Sequence, residues 1–251
     1  MIQKITDIDT VFDALDKNRD IYTEKIRALA EAYGCGYDFC GFYKQTGGTI
    51  IGDYYGSAVA AKCSARTGDR LAELMEFLMC GKFRKVLMPA ASFQAARVDA
   101  NIKESLLMRY NGKPTDDDIK NSDDIDKLLA DPAGSLGEIS EIVTDGFDID
   151  INKWYTDISH NLRHGISQIF VLEGNACAVK MFTFSGISYL SYISTRKEAR
   201  GKGFASRLIR AICASEYAKQ NSVQLFCDRS LEGFYNRLEF VTVGKAVELT
   251  I

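Results

Sequence analysis

Proline and histidine are scarce in this chain, with three and two copies in 251 residues, and tryptophan occurs once. With so little proline and 11% aromatic residues, the composition is globular and excludes a disordered chain. No apolar run approaches the roughly 18 residues of a membrane-spanning helix. The opening Met1-Ile2-Gln3-Lys4-Ile5-Thr6-Asp7 lacks the apolar stretch of a signal peptide, so a cytoplasmic location is expected. The seven cysteines include no C-x-x-C pair, and His160 and His164 have no cysteine at ligand spacing. No metal is therefore expected, and the thiols read as small buried hydrophobes in a reducing compartment. A formal charge of −3 gives no general attraction to nucleic acid or to an acidic membrane. What is present is 46% hydrophobic residues, enough for a substantial core in one large domain or two small ones.

Periodicity orders the chain. Ile8, Val11, Phe12 and Leu15, then Ile26, Leu29, Ala30 and Tyr33, carry the spacing of amphipathic helices, the second stopped by Gly34. Residues 39–43 and 49–55 read as a hairpin around Gly47-Gly48, followed by a helix bearing Leu71, Leu74, Met75, Leu78 and Met79 and a short strand at 86–88. Residues 111–131 hold Pro114 and many aspartates but lack the central Gly and terminal Glu of a calcium loop, so they read as a solvated loop and acidic helix start. The domain junction is placed near residue 100, giving lobes 1–100 and 101–251. In the second lobe Trp154, Ile158 and Leu162 mark a helix ended by Gly165. Strands are expected at 166–172, 176–184 and 187–194, with turns at Gly174-Asn175 and Ser185-Gly186. A helix with Ala205, Leu208, Ile209, Ile212 and Cys213 follows, then a strand at 223–226, a short helix at 231–238, and strands at 241–243 and 247–251 around Gly244. This order implies an α+β fold around a mixed sheet.

Chemistry concentrates at residues 193–206, where a strand hands over to a helix. Gly201 and Gly203 let the backbone approach a ligand without Cβ obstruction. The first helical amides there point outward with the positive end of the helix dipole behind them, which makes an anion site. Arg196, Lys197, Arg200, Lys202 and Arg207 add basic charge around it, and a pyrophosphate fits. A P-loop would need Lys-Ser/Thr after the second glycine, whereas Gly203 is followed by Phe204. A Rossmann fingerprint would need a third glycine where Ser206 stands, within a βαβ unit that the preceding meander does not provide.

Arg200, Gly203 and Ala205 match the [QR]-x-x-G-x-[GA] signature of the GNAT acyl-CoA N-acyltransferases, and this segment resembles that superfamily's motif A. Tyr235, Leu238 and Phe240 resemble its motif B, with Glu239 replacing the usual glycine. The resemblance covers residues 105–251, most firmly from 187 onward. It implies a GNAT-like, mostly antiparallel mixed sheet flanked by helices, with an N-terminal α/β lobe. It also implies acetyl-CoA as acyl donor and a small-molecule or peptide amine as acceptor. Carried over residue by residue, the amides of Arg200, Gly201, Lys202, Gly203, Phe204, Ala205 and Ser206 would hold the CoA pyrophosphate. Backbone groups of Ile193, Ser194 and Thr195 would bond the pantetheine arm. Tyr235 would protonate the leaving thiolate, or else only pack its helix on the sheet. Asp228 would contact the cofactor, or else cap the short helix that follows it. Glu173, Asp157 and His160 are the candidates for a general base.

The first hundred residues repeat the order helix, helix, strand, strand, helix, strand and resemble a degenerate GNAT-like half, as in tandem members. The approach to its third helix, Ala65-Arg66-Thr67-Gly68-Asp69-Arg70, lacks the signature and sets Asp69 where a pyrophosphate would lie, so this half is expected to bind no CoA. Its expected job is to cover the acceptor side of the active site or to extend the sheet. A terminal strand ending at Ile251 leaves pairing across a homodimer open. The alternative to an active enzyme is a non-catalytic acyl-CoA-binding regulatory module, which would keep the phosphate cradle and need no acid.

Overall fold

A computed structural model describes residues 1–62, 68–94, 101–115, 118 and 136–251. Cys63, the approach residues 65–67, the expected junction near 100 and most of the acidic 111–131 stretch lie outside the described residues. In chain order the elements are β1 (Ile2–Ile5), α1 (Ile8–Leu15), α2 (Ile21–Tyr33), β2 (Cys40–Gln45), β3 (Ile50–Tyr54), β4 (Ser57–Ala61), α3 (Gly68–Cys80), β5 (Lys85–Pro89) and α4 (Ala90–Gln94). There follow β6 (Asn101–Tyr110), α5 (Leu136–Gly146), α6 (Ile151–Arg163), β7 (Gln168–Leu172), β8 (Ala176–Phe184), β9 (Ile187–Thr195), α7 (Phe204–Ala218), β10 (Ser222–Cys227), α8 (Glu232–Asn236) and β11 (Phe240–Thr250). The fold is α+β, as the strand and helix patterns imply.

Two compact units emerge. The first comprises Met1–Leu107 with two returns of the chain, Phe226–Glu232 and Thr242–Ile251; the second comprises Met108–Leu225 and Gly233–Val241. Described elements β1 to α4 and β6 to α8 run through the same order, strand, two helices, three strands, helix, strand, helix. The pairing repeats as well. In the first unit β2–β3 and β3–β4 are antiparallel and β4–β5 is parallel. In the second, β7–β8 and β8–β9 are antiparallel and β9–β10 is parallel.

Local chemistry explains the helix ends. In α2 the Asp20 carboxylate accepts from the Tyr22 and Thr23 amides while Thr23 Oγ1 accepts from the Asp20 amide, a reciprocal cap. Asp150 accepts from the Asn152 and Lys153 amides to start α6. In the first unit α3 lays Leu71, Leu74, Met75 and Leu78 over Ile51, Ala58, Ala60, Val86 and Met88. In the second, α5 and α6 bury Leu136, Ile139, Ile142, Val143, Trp154 and Ile158 on Ile169, Cys177 and Val179.

The end of the chain departs from the sequence reading. Residues 240–250 form one strand rather than a pair around Gly244, whose φ is not positive and whose missing Cβ faces Leu107 at 3.8 Å. Ala246–Thr250 pair antiparallel with β5, and the strand order sets β11 between β5 and β6, so the last strand is interior rather than an open edge. Cys40, Cys177, Cys213 and Cys227 are buried, as expected, but Cys80 is exposed and Cys35 half-buried. No helix among the described residues is long and apolar enough to cross a membrane.

A buried polar cluster ties α7 to the sheet of the second unit. Glu216, 1% exposed, receives Lys180 Nζ at 2.8 Å, Asn221 Nδ2 at 2.8 Å and the Ser188 hydroxyl. Burial alone would raise its carboxyl, but the bonds from Lys180, Ser188 and Asn221 outweigh that and hold it at about 2. Its native value is therefore depressed below the unfolded one, near 4.3. The stabilisation is present above the unfolded value and is lost as pH falls through about 2. Replacing Glu216→Ala strands the Lys180 ammonium in the core and is expected to cost about 3–5 kcal/mol at pH 7 in urea unfolding. The gap between wild type and variant should narrow from pH 5 to pH 2; an unchanged gap would show that the cluster is not ionised as described.

Candidate active site

Strand β9 forms the first wall of the site. It pairs with β8 at Thr195↔Ala176 and Ser194↔Cys177 and resumes at Ser191↔Val179, so Tyr192 and Ile193 oppose the single residue Ala178. This is a β-bulge, and Tyr192 takes a left-handed φ of 49° within it. On the other side β9 pairs with β10 from Ile187↔Ser222 to Leu190↔Leu225, and among the described residues that parallel ladder ends there. Residues 191–195 thus keep one backbone edge outside the ladder.

The second wall is the start of α7. Gly201 and Gly203 have φ of 77° and 84°, and no described residue lies within 4 Å of where a Cβ would stand at either. Gly203 is the cap residue, and among the described residues no side chain caps the helix. The first intrahelical bond runs from the Arg207 amide to the Gly203 carbonyl at 3.0 Å. The amides of Phe204, Ala205 and Ser206 therefore face outward at the positive end of a 15-residue helix.

The basic side chains do less than their number implies. Arg200 donates to the Asp145 carbonyl and, through Nε, to the Thr195 carbonyl at 3.4 Å. Lys197 offers its amide to Asp145 at 3.1 Å and its ammonium at 3.4 Å. That amide bond is the chief reason the Asp145 carboxyl sits below its usual range. Arg196 donates to the Gly174 carbonyl at 2.9 Å and pairs with Glu141 at 3.2 Å. Arg207 lies over the Phe204 ring at 4.9 Å and pairs with Glu173 at 3.1 Å. Lys202 is exposed and has no ion pair within the described residues. An anion at this turn would meet backbone amides, while the cations chiefly brace the loop.

Sequence reasoning missed the brace itself, which is the last turn of α5. Ser194, buried, donates to the Ile142 carbonyl at 2.5 Å. Gly146 lies against it so closely that a Cβ would stand 2.5 Å from Ser194 Oγ. The signal was in the sequence: Leu136, Ile139, Ile142 and Val143 have helical spacing, and Gly146 marks the stop.

The remaining candidates are placed as follows. Tyr235 lies in α8 of the same unit, 6% exposed, its ring 5.0 Å from Phe234 and 5.6 Å from Phe240. Asp228 belongs to the other unit's return segment and caps the 3-10 turn at Arg229–Leu231 by accepting the Ser230 amide at 2.9 Å. Among the base candidates, Glu173 is engaged by Arg207 on the β7–β8 turn. Asp157 and His160 lie on α6, with the His160 ring 4.3 Å from that of His164. Tyr192 packs beside Phe147 and Trp154, and burial, with Tyr189 and Asp157 adding to it, pushes its hydroxyl to about 12.

No family model and no curated protein sequence matches this chain. Solved structures do. A GCN5-related N-acetyltransferase from Sphaerobacter thermophilus is 13% identical, with 99% of this chain and 94% of that one covered at a TM-score of 0.61. A tandem GNAT protein from the clavulanic acid biosynthesis pathway is 11% identical over 100% and 98% at 0.60. A GCN5-related N-acetyltransferase from Kribbella flavida is 12% identical over 92% and 93% at 0.59. The fold is similar to that of these GNAT acetyltransferase structures, a tandem GNAT protein among them.

The brace can be tested by Gly146→Ala, whose methyl would press on Ser194. A loss of about 1–3 kcal/mol in unfolding free energy is expected. The double variant with Ser194→Ala should lose less than the sum of the two singles, because the hydroxyl that clashes is gone. Strict additivity in the double-mutant cycle would mean that Gly146 and Ser194 do not meet.

Proposed function

We propose that this chain is an N-acetyltransferase that moves an acetyl group from acetyl-CoA to an amine. The observation that carries the reading is the join of a strand edge left outside its ladder, at residues 191–195, to the uncapped first turn of α7. The fold supports it, and so do the two open glycines. An acyl-CoA presents a pyrophosphate, which suits outward amides at a helix N-terminus, and a pantetheine arm with amide groups of its own, which suits a free strand edge.

In this reading the amides of Gly201 to Ser206 hold the pyrophosphate, the Arg200 amide being spent on the Lys197 carbonyl at 3.4 Å, with Lys202 the cation able to join them. Backbone groups of Ile193, Ser194 and Thr195 align the arm, while the Ser194 side chain is spent on Ile142. An amide at the strand edge polarises the thioester carbonyl. The neutral amine attacks the carbonyl carbon, the C–N bond forms and the C–S bond breaks. Tyr235 gives its phenolic proton to the departing sulfur, and the amine's proton leaves to a base or to water. Asp228 acts as a cap in this scheme rather than as a cofactor contact. The catalytic lobe is residues 101–251. Residues 1–100 bind no CoA, since Asp69 stands in the first turn of α3 where the equivalent anion would sit.

Titration calorimetry with acetyl-CoA tests the site. Micromolar binding by the wild type is expected, and its loss in Gly203→Glu, a variant that stays folded although the left-handed backbone at 203 lowers its melting temperature. With an amine acceptor found by screening, Tyr235→Phe should lower kcat by about 10²-fold or more with little change in KM for acetyl-CoA. No binding by folded wild type overturns the proposal. Binding without transfer to any amine in a broad screen would favour the acyl-CoA-binding regulatory module instead.

A further inference from the structure

At the other end of α7, about 22 Å from Gly203 along the helix axis, the second unit carries an open pocket of about 680 Å³. Its wall is formed by Arg109 and Tyr110 at the end of β6, Tyr217 in the last turn of α7, and Gln220, Asn221 and Ser222 leading into β10. Nothing in the proposed transfer reaction uses these residues.

Their chemistry is mixed in a particular way. Arg109 is exposed and has no carboxylate partner within the described residues, so its planar fork of donors is unspent. Tyr217 is 50% exposed and its ring packs on no other ring among the described residues, unlike Tyr110, which stands edge-on to Phe240 at 5.5 Å. Asn221 donates Nδ2 to buried Glu216 at 2.8 Å, which orients the amide and leaves its Oδ1 as an acceptor. The Gln220 side chain makes no hydrogen bond within the described residues and offers both donor and acceptor. The carbonyls of the helix end are largely covered, because Glu216 O accepts the Lys219 and Asn221 amides and Tyr217 O accepts the Gln220 amide. An anion entering here meets Arg109 rather than bare carbonyls.

We infer that this pocket binds a mononucleotide, its phosphate on Arg109, its base stacked on Tyr217, and the base's polar edge on Gln220 and Asn221. A guanidinium matches phosphate geometry, an exposed aromatic ring is a stacking platform for any base, and side-chain amides pair with an adenine edge. A volume of this size is in the range of small-molecule sites. The site is separate from the glycine loop and does not depend on the acetyltransferase reading.

The experiment is calorimetric titration of the full chain with AMP, with adenosine and ribose 5-phosphate as half-ligands. Wild type and Gly203→Glu are expected to bind AMP equally, and each half-ligand at least about tenfold more weakly. Arg109→Ala and Tyr217→Ala, both exposed positions whose loss leaves the melting temperature unchanged, should each weaken AMP about tenfold or more. Absence of AMP binding at millimolar concentration overturns the inference. So does AMP binding that Gly203→Glu abolishes and Arg109→Ala leaves intact, since the nucleotide would then lie on the glycine loop.

Discussion

Every buried backbone N–H must find an acceptor, and the first turn of a helix cannot find one within the helix itself. Most helices answer with a capping side chain, as α2 does with Asp20 and α6 with Asp150. The helix α7 does not: its cap is left-handed Gly203, and the amides of its first turn are turned to the surface. That single unmet requirement organises the second unit. The loop before it must be held open, and the carboxylate and carbonyl of Asp145 do so through Lys197 and Arg200. The strand before the loop must be held in place, and Gly146 and Ile142 do so through Ser194. The far end of the helix is anchored to β8 and β9 by the Glu216 cluster.

The repeated order of elements in the two units shows how little a topology says about chemistry. Both units place a helix after a short antiparallel meander and return to a parallel strand. In the second unit that helix begins behind Gly201, Lys202 and Gly203 with no carboxylate in its first turn. In the first unit the matching helix begins with Gly68 followed by Asp69. A carboxylate at the positive end of a helix dipole satisfies the field that an anionic ligand would otherwise use. Two or three side chains separate a helix start without a carboxylate from one that carries its own.

What the sequence displayed depended on whether the signal was local. Helical spacing in α2, α3, α6 and α7, the strand runs of β7, β8 and β9, and the glycines at 201 and 203 are all read within a dozen residues, and they appear where expected. Elements without a local signal were invisible. β4 is Ser57 followed by Ala, Val, Ala and Ala, a composition that favours helix as much as strand; its place between β3 and β5 makes it a strand. β6 opens on polar residues, and β11 runs straight through Gly244, which by itself reads as a turn. α5 had the spacing, but an acidic segment before it masked its start.

The sequence by itself determined the class of fold, the order of most elements and the glycine loop before α7, because these follow from side-chain periodicity and from backbone angles open mainly to glycine. Tertiary structure decided which charges remain free to act. Five basic side chains crowd residues 196–207 in the sequence, yet four are engaged by Glu141, Asp145, Glu173 and nearby carbonyls. Tertiary structure also decided that the last strand is interior and that, among the described residues, β9 leaves β10 after Leu190 while staying paired with β8 to Thr195. The physical reason is range. A dihedral preference acts on its own residue, whereas a bond across 52 positions or a ladder's end exists only once burial and register have brought distant segments together.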